Sequence, residues 1–571
     1  MGQEFMSAKI NGQRRVSDWI NLVKDTNSVF HRRLNQIYGG PPSGRRTDLE
    51  TKAAQMCLRT LEAFASSYGP PGYGSGLRRD EGRDVIIVRS AGRINLVGTH
   101  IDHRGGSVNP VCIKQMWLAV EPREDDLVLA KNVESDQFPD EQFRISDCLP
   151  AGKKIQDWDA WCYDEFEKRK HDPSVTWSNY VRAAVLYFQH LYTKDDGTFA
   201  PAIKGMNMMF YGDIPRAAGL ASSSALVMAA AEAVRRINAL QIEPADLIEH
   251  CGYAEWYVGT RGGCSDHAAV AFGQPNAILH ITNFPVTVES VPFPAGYSLV
   301  LANSLIEAKK QTGARNTFNS RVAAYEFGLM LIRKNFPQHA DKLEHLRDVT
   351  PERLDVDEVQ IYEILKSLPA SSSRADILRL LPEHERQIRH VFRSHDEPKQ
   401  GYHIRQVCLY GIAECMRANM VAQCLRAGDM RTFGQLVSTS HDGDRVTKLL
   451  DGKSVPTDNN YPSTRIDALI SDLKSGDRDR MVRARLWRQG GGYNVSLPEL
   501  DTLVDIALAS PGVIGAGLVG AGMGGCIVAV VEKEHASQVI ENMAEQYYHA
   551  RNLSLKAEIV TPVGGLCTID M

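Results

Sequence analysis

Residues 90–110 read SAGRINLVGTHIDHRGGSVNP and follow the strand-like run DVIIVRS of residues 84–90. Arginine, histidine and aspartate side chains therefore stand among glycines where a predicted strand gives way to a turn. Glycines let a backbone approach a ligand closely, and aspartate and histidine offer hydrogen-bond acceptors and donors to hydroxyl groups. The stretch predicts a site for a polyhydroxylated ligand; the alternative interpretation is a polar surface loop.

The bulk composition describes an ordinary globular protein. The chain has 571 residues, 43% hydrophobic and 23% charged, which predicts two or three domains. The net charge of −4 does not indicate binding to nucleic acid or to an anionic membrane. Eleven cysteines without a C-x-x-C pair, and an N-terminus without an apolar leader, predict reduced thiols in a cytoplasmic protein.

The uncharged stretch 506–531 invites comparison with a membrane span. It contains Pro511 and many glycines, which weaken helices. We expect instead a helix end, a glycine-rich turn and the buried strand CIVAVV (Cys526–Val531).

The order of patterns predicts a mixed α/β (α+β) protein. Helical patterns at 16–38 and 48–68 predict a helical N-terminal extension over residues 1–80, ending in a Gly/Pro-rich break. Strand-like and helical runs then alternate through a predicted first domain, 81–295. A second α/β domain is predicted at 296–571, with a helical insertion at about 335–400.

The segment GDIPRAAGLASSSALVMAAAEAVRR (Gly212–Arg236) turns from a small-residue loop into a strong helical pattern. A helix N-terminus behind such a loop presents free N–H groups that suit a phosphate. The alternative is a helix that is simply N-capped by serine. The segment lacks the G-x-x-x-x-G-K-[ST] pattern, and the only GKS, Gly452–Ser454, has Thr447 in place of the first glycine.

Two further segments carry candidate chemistry. In YAEWYVGTRGGCSDHAAVAFG (Tyr253–Gly273), Asp266 stands between a glycine pair and an alanine-rich run, where it fits either a helix cap or a placed carboxylate. SLPELDTLVDIALASPGVIGAGLVGAGMGGCIVAVV (Ser496–Val531) predicts a helix, a glycine-rich loop and a strand. Such a loop is either a tight packing turn or a cover over a ligand.

In this order the segments resemble the galactokinase branch of the GHMP small-molecule kinases. GRINLVGTHIDHRGG resembles the branch's sugar signature, GLASSSA its phosphate loop, GGCSDHAA the site of its catalytic aspartate, and PELD with GAGLVGAGMGGC its third motif. WSNYVRAAV (Trp177–Val185) is similar to another stretch of the branch. The resemblance implies a two-lobed fold in which ATP, Mg²⁺ and a sugar meet between the lobes.

The resemblance also implies roles for individual residues. Arg93 matches the arginine that stabilises the transferring phosphoryl group, and Asp266 matches the aspartate that orients or deprotonates the sugar hydroxyl. The positions implied to bind sugar are Thr99, His100, Asp102 and Phe318. Those implied to bind the ATP phosphates are Gly219, Leu220, Ala221, Ser222, Ser223 and Ser224. Those implied to hold the metal are Ser223 and Glu255.

Three positions depart from the pattern of the branch. Thr99 stands where the branch has a glutamate, and Phe318 where it has a tyrosine. Loss of both polar groups argues against galactose and favours another aldose, a uronic acid or a deoxy sugar, with Thr99 opening space or removing negative charge. Glu255 lies four residues before Gly259, where a spacing of five is expected, so a local helix irregularity or a bridging water is needed.

These patterns together predict ATP-dependent phosphorylation of a monosaccharide at its anomeric hydroxyl, giving a sugar 1-phosphate. The alternatives are a non-catalytic sugar sensor of the same fold, or a kinase for a uronic acid, a heptose or a polyol. The predicted partners are a sugar and ATP with Mg²⁺, without nucleic acid or membrane.

Overall fold

The computed structural model describes residues 10–41, 46–68, 82–169, 177–260, 262–307 and 313–570. Fifteen strands lie in this part of the chain: β1 (Arg14–Arg15), β2 (Asp84–Asn95), β3 (Pro110–Pro122), β4 (Leu127–Asn132), β5 (Glu141–Arg144), β6 (Met206–Gly212), β7 (Ala277–Thr282), β8 (Thr287–Pro292), β9 (Tyr297–Asn303), β10 (Thr447–Leu450), β11 (Lys453–Pro456), β12 (Val513–Leu518), β13 (Cys526–Glu532), β14 (Ala557–Val560) and β15 (Cys567–Thr568).

The same ranges contain twenty α-helices: α1 (Val16–Lys24), α2 (Val29–Tyr38), α3 (Asp48–Ser67), α4 (Ile145–Cys148), α5 (Trp158–Arg169), α6 (Ser178–Leu191), α7 (Ser222–Ile237), α8 (Pro244–Ala254), α9 (Ser265–Phe272), α10 (Gly313–Asn335), α11 (Pro351–Leu354), α12 (Glu358–Ser367), α13 (Arg374–Leu380), α14 (Glu385–Phe392), α15 (Ile404–Ala427), α16 (Met430–Asp444), α17 (Ser463–Leu473), α18 (Arg478–Ala484), α19 (Pro498–Leu508) and α20 (Ala536–Met543).

The first sheet has the order β1-β2-β3-β6-β4-β5, and β15 also pairs with β2, at Val88 and Arg89. Both of its faces are covered, so its central strands are apolar on both sides. Val85 and Ile87 point toward the N-terminal helices, whereas Ile86 and Val88 point toward α6, α7 and α8. The N-terminal extension therefore supplies one wall of the core of this sheet.

The second sheet has the antiparallel order β12-β13-β9-β14. Alternate residues of β13 again face opposite cores: Val528 lies in a core shared with the end of β2, and Ala529 packs toward α19 and α20. The shared core contains Ile94 and Leu220, from the two motifs nearest the predicted site. The two sheets thus meet through apolar residues beside those motifs.

The structure refines several predicted elements. The helical pattern at 16–38 is two helices, because residues 25–28 turn between α1 and α2. The glycine-rich stretch 506–531 contains the predicted helix end, turn and strand, and also β12, which the sequence did not predict. Residues 335–400 contain helices α11 to α14, and that this range is an insertion stays a prediction. The domain boundaries after residues 80 and 295 stay predictions.

Among the described helices, none combines the length and apolar character needed to cross a bilayer. Eight of the eleven cysteines are buried.

Candidate active site

Strand β2 is longer than the predicted strand of residues 84–90. It continues through Arg93 to Asn95, so it includes the first residues of the signature, with a bulge between Ser90 and Gly92. The Arg93 amide donates to the Leu220 carbonyl at 3.0 Å. A Cβ at Gly92 would lie 2.9 Å from that same carbonyl oxygen, so glycine permits the approach. The signature strand therefore holds the serine-containing loop directly.

The Arg93 guanidinium joins two of the predicted motifs. Its Nε and Nη2 donate to the two carboxylate oxygens of Asp266, each at 2.6 Å, and its Nη1 donates to the Gly219 carbonyl at 2.6 Å. The Arg93 side chain is 8% exposed and that of Asp266 is 30% exposed. A rigid planar cation is thus fixed between the loop and a carboxylate that still reaches the solvent side.

Helix α7 begins behind that loop without a capping side chain from any described residue. Its N-cap is Ala221, in the left-handed region with φ 54°, so the simple serine-cap interpretation is wrong. Ser222, Ser223 and Ser224 form the first turn, whose amides have no partner within the helix. Among the described residues, the hydroxyls of Ser222 and Ser223 have no hydrogen-bond partner. The turn offers N–H and O–H donors to an anion.

Glu255 reaches this turn through the irregularity that its spacing requires. Helix α8 ends at Ala254 and tightens into a 3₁₀ turn, Glu255–Val258, which advances each residue by about 120° instead of about 100°. The buried Glu255 carboxylate accepts from the Ser224 hydroxyl at 3.1 Å, and His267 Nε2 lies 3.5 Å away. The structure thus pairs Glu255 with Ser224, one residue beyond Ser223.

The third motif closes the other side of the loop as a packing turn. A Cβ at Gly219 would lie 2.3 Å from the Val519 carbonyl oxygen, and one at Gly520 would lie 2.6 Å from the Gly219 Cα. Both glycines have positive φ. The backbones of these two turns are in direct contact, which places the second sheet beside the loop that precedes α7.

Asp102 lies in a 3₁₀ turn, Asp102–Arg104, beside the motif that contains Asp266. It accepts from the Ser265 hydroxyl at 2.7 Å and faces His103 Nδ1 at 3.2 Å. Burial alone raises the pKa of Asp102, but the hydrogen bonds from His103 and Ser265 outweigh it and hold this pKa below its usual value. A Cβ at Gly263 would lie 2.5 Å from Asp102 Oδ2, so this glycine makes room for the carboxylate.

Thr99 and His100 are both buried, 5% and 7% exposed. The Thr99 hydroxyl hydrogen-bonds Tyr410 of α15 at 2.7 Å, and His100 Nε2 lies 3.2 Å from Asp444 Oδ2 at the end of α16. The His100 ring also stacks on Tyr493, with centroids 4.3 Å apart. The predicted sugar end of the signature is therefore built against residues more than 300 positions away.

Phe318, on α10, lies beside the other predicted sugar residues, its ring centroid 6.3 Å from that of His103. Contacts in the structure join Arg93 to Asp266 and Gly219, Glu255 to Ser224, and Asp102 to Ser265 beside Asp266. The side chains of Thr99 and His100 instead contact Tyr410, Asp444 and Tyr493.

Sequence reasoning missed the residues that the C-terminal half contributes: Tyr410, Glu414, Asp444 and Tyr493. One signal was available for Glu414, because it and Arg417 lie three residues apart in a strongly apolar helical pattern. For Asp444 and Tyr493 no local pattern marks a function.

Comparisons with known proteins match three parts of the chain. Residues 78–122 match the galactokinase galactose-binding signature, 179–274 the GHMP kinases N terminal domain, and 469–549 the GHMP kinases C terminal domain. The galactokinase of Roseiflexus sp. is 26% identical over 469 residues, covering 81% of this chain and 88% of its own. The galactokinase of Schizosaccharomyces pombe is 26% identical over 509 residues, covering 85% and 92%.

A solved structure, that of Lactococcus lactis galactokinase complexed with galactose, superposes with a TM-score of 0.58 at 19% identity. It covers 91% of this chain and 100% of its own. The fold and the matched domains define a sugar kinase. The chain contains both GHMP kinase domains and the galactose-binding signature of the galactokinases.

Proposed function

We propose that the protein transfers the γ-phosphoryl group of ATP to the anomeric hydroxyl of a monosaccharide, giving a sugar 1-phosphate, with Mg²⁺ as cofactor. The observation that carries this proposal is the Arg93 guanidinium, held at 2.6 Å both by Asp266 and by the Gly219 carbonyl of the loop before α7. The same guanidinium thus contacts both the loop proposed to bind the ATP phosphates and the carboxylate proposed to bind the attacking hydroxyl.

The residues divide the work according to their chemistry. Asp266 accepts two hydrogen bonds from Arg93, and its remaining lone pairs face the partly open side of the site, where they accept from the sugar hydroxyl and orient it. Arg93 faces the negative charge that spreads over the phosphoryl oxygens during transfer. The first turn of α7 holds the phosphates of ATP through its amides and its serine hydroxyls.

The donor set beside this turn fits a magnesium ion. Glu255 offers a carboxylate and the adjacent serines offer hydroxyls, the hard oxygen ligands that Mg²⁺ prefers. When bound there with ATP, the ion neutralises phosphate charge. The chain's own part is to keep Glu255 buried and pointed at the serine turn through its contact with Ser224.

The sugar is proposed to lie on the other side of Arg93 and Asp266, against Asp102, His103 and Phe318. Burial lowers the pKa of His103 below its usual value, although Asp102 opposes this. A neutral His103 that donates from Nδ1 to Asp102 keeps Nε2 as an acceptor for a sugar hydroxyl.

Measurement of ADP release tests the proposal, with Mg·ATP and a panel of hexoses, pentoses and uronic acids. We expect one or more sugars to give ADP and a product that has lost its reducing end. Asp266→Asn is expected to lower kcat by about 100-fold or more while ATP binding is kept. The matched control is Asp246→Asn, because Asp246 is an exposed acid in the first turn of the neighbouring helix α8.

Two results would overturn the proposal. One is the absence of ADP release with every sugar from a protein that binds ATP normally, which is the behaviour of a sugar sensor. The other is an Asp266→Asn variant as active as the Asp246→Asn control.

A further inference from the structure

Four buried polar atoms without a hydrogen-bond partner in the described part of the chain lie close together behind the signature. They are Asp444 Oδ1, Tyr493 Oη, Tyr325 Oη and His103 Nε2. Their side chains form a continuous cluster: the ring centroids are 5.7 Å apart for Tyr325 and Tyr493, and 6.1 Å for His103 and Tyr325. His100, which contacts Asp444, stacks on Tyr493.

Such a concentration is unusual in a folded protein. Buried polar groups nearly always find partners, because an unmet donor or acceptor loses its hydration without compensation. Asp444 is the most telling of the four, since it is 0% exposed and only one of its oxygens faces a partner. Acceptors at Asp444 and His103 beside hydroxyls at Tyr493 and Tyr325 match the alternating donors and acceptors of a polyol.

The position of Asp444 also bears on Thr99, which stands where the branch has a glutamate. Thr99 has no carboxylate, and its hydroxyl is hydrogen-bonded to Tyr410. Tyr410 Oη lies 3.5 Å from Asp444 Oδ2, so the carboxylate stands one hydrogen bond beyond the threonine. A negative charge is therefore present behind the signature, supplied by α16 instead of by position 99.

The charges that face Asp444 leave it available to a ligand. His100 is the only cationic type of side chain within 4.0 Å of it in the described ranges. Arg321 lies close enough to interact electrostatically, but its Nε donates to the Tyr493 carbonyl at 2.6 Å. Arg104 is neutralised by Glu326 at 2.9 Å, and Asp102 adds a second negative charge on the sugar side.

We propose that Asp444, supported by Tyr493, is the specificity residue that accepts a hydrogen bond from the end of the sugar remote from the reacting hydroxyl. This inference rests on the proposed function and deepens it. A carboxylate there selects a neutral sugar that carries a hydroxyl at that end. It repels a uronic acid and leaves a deoxy sugar unable to satisfy the acceptor.

The test compares Asp444→Asn, Tyr493→Phe and the control Asp442→Asn, whose carboxylate lies two residues earlier and is 58% exposed. The kcat/KM of each is measured for the preferred neutral sugar, for its uronic acid and for its deoxy analogue. We expect Asp444→Asn to raise the KM for the neutral sugar about fivefold or more and to leave the KM for ATP within about twofold. The preference for the neutral sugar over the uronic acid is expected to fall about tenfold or more.

Tyr493→Phe removes one hydroxyl without a change in ring volume, so it carries the test if Asp444→Asn fails to fold. It is expected to raise the KM for the neutral sugar several-fold, about the effect of one unmet hydrogen bond. Calorimetric sugar binding to the Asp266→Asn variant, alone and combined with Asp444→Asn, separates this proposal from the proposed function, because binding needs no turnover. An unchanged neutral-to-uronic preference in Asp444→Asn, or an unchanged sugar KM in Tyr493→Phe, would overturn the inference.

Discussion

Replacement of Glu414 by alanine should release the signature loop from the second half of the chain. The Glu414 carboxylate, 0% exposed, accepts from the amides of Gly98 and Thr99 at 2.6 and 3.2 Å. It also accepts from the Ser440 hydroxyl at 2.7 Å and from Arg417 Nε at 2.6 Å. One buried acid thus ties α15, α16 and the signature together.

The magnitude follows from what the substitution leaves behind. Arg417, also 0% exposed, keeps its hydrogen bonds to the carbonyls of Trp487 and Gln489 and its contact with the Tyr410 ring. Its charge is then buried without a counter-ion among the described residues. Loss of one partner of a buried ion pair costs about 3–5 kcal/mol. Two loop amides lose their acceptor as well, so the effect on the free energy of unfolding should lie at the upper part of that range.

The assay has a global and a local readout. The shift of the urea unfolding midpoint gives the loss of stability, and hydrogen exchange of peptides covering Gly98 and Thr99 gives the order of the loop. We expect faster exchange there and a higher KM for the sugar, since Thr99 and His100 follow the anchored amides. The control is Glu385→Ala, which breaks an exposed pair with Arg389 and should cost about 0.5 kcal/mol or less.

An equal loss of stability in Glu414→Ala and Glu385→Ala would refute the anchoring role of Glu414. The same holds if hydrogen exchange at Gly98 and Thr99 is as slow in Glu414→Ala as in the unsubstituted protein.

Two other perturbations have clear expected outcomes. Gly263→Ala places a Cβ within 2.5 Å of Asp102 Oδ2, so steady-state kinetics should show a higher KM for the sugar and an unchanged KM for ATP; equal changes in both would contradict the assigned position of Asp102. Burial lowers the pKa of His190 to about 4, so the unfolded chain takes up a proton there before the folded protein does. The free energy of unfolding should therefore fall as pH drops from about 6.5 to about 4. In urea titrations at several pH values, His190→Gln should reduce the slope of this fall, by at most about 1.4 kcal/mol per pH unit. An unchanged slope would refute the assignment to His190.

Much of the fold and part of the site were predictable because their determinants are local. A strand before a glycine-containing turn, a small-residue loop before a helix, and an acid after a glycine pair each lie within a few tens of residues. These patterns also carried the family resemblance, and the GHMP kinase fold is confirmed by the matched domains and by the superposed structure. The contact between Arg93 and Asp266 spans 173 positions, so spacing alone did not predict its geometry.

The sequence by itself determined the class of the protein, because the groups that grip phosphate must be neighbours on a loop and a helix end. Only the tertiary structure decided what surrounds the sugar end of the signature. Asp444 reaches His100 from 344 positions away, and packing of α16 against β12 brings it there. Hydrogen bonds and charges act through space over a few ångströms, and only the packed chain makes such distant residues neighbours.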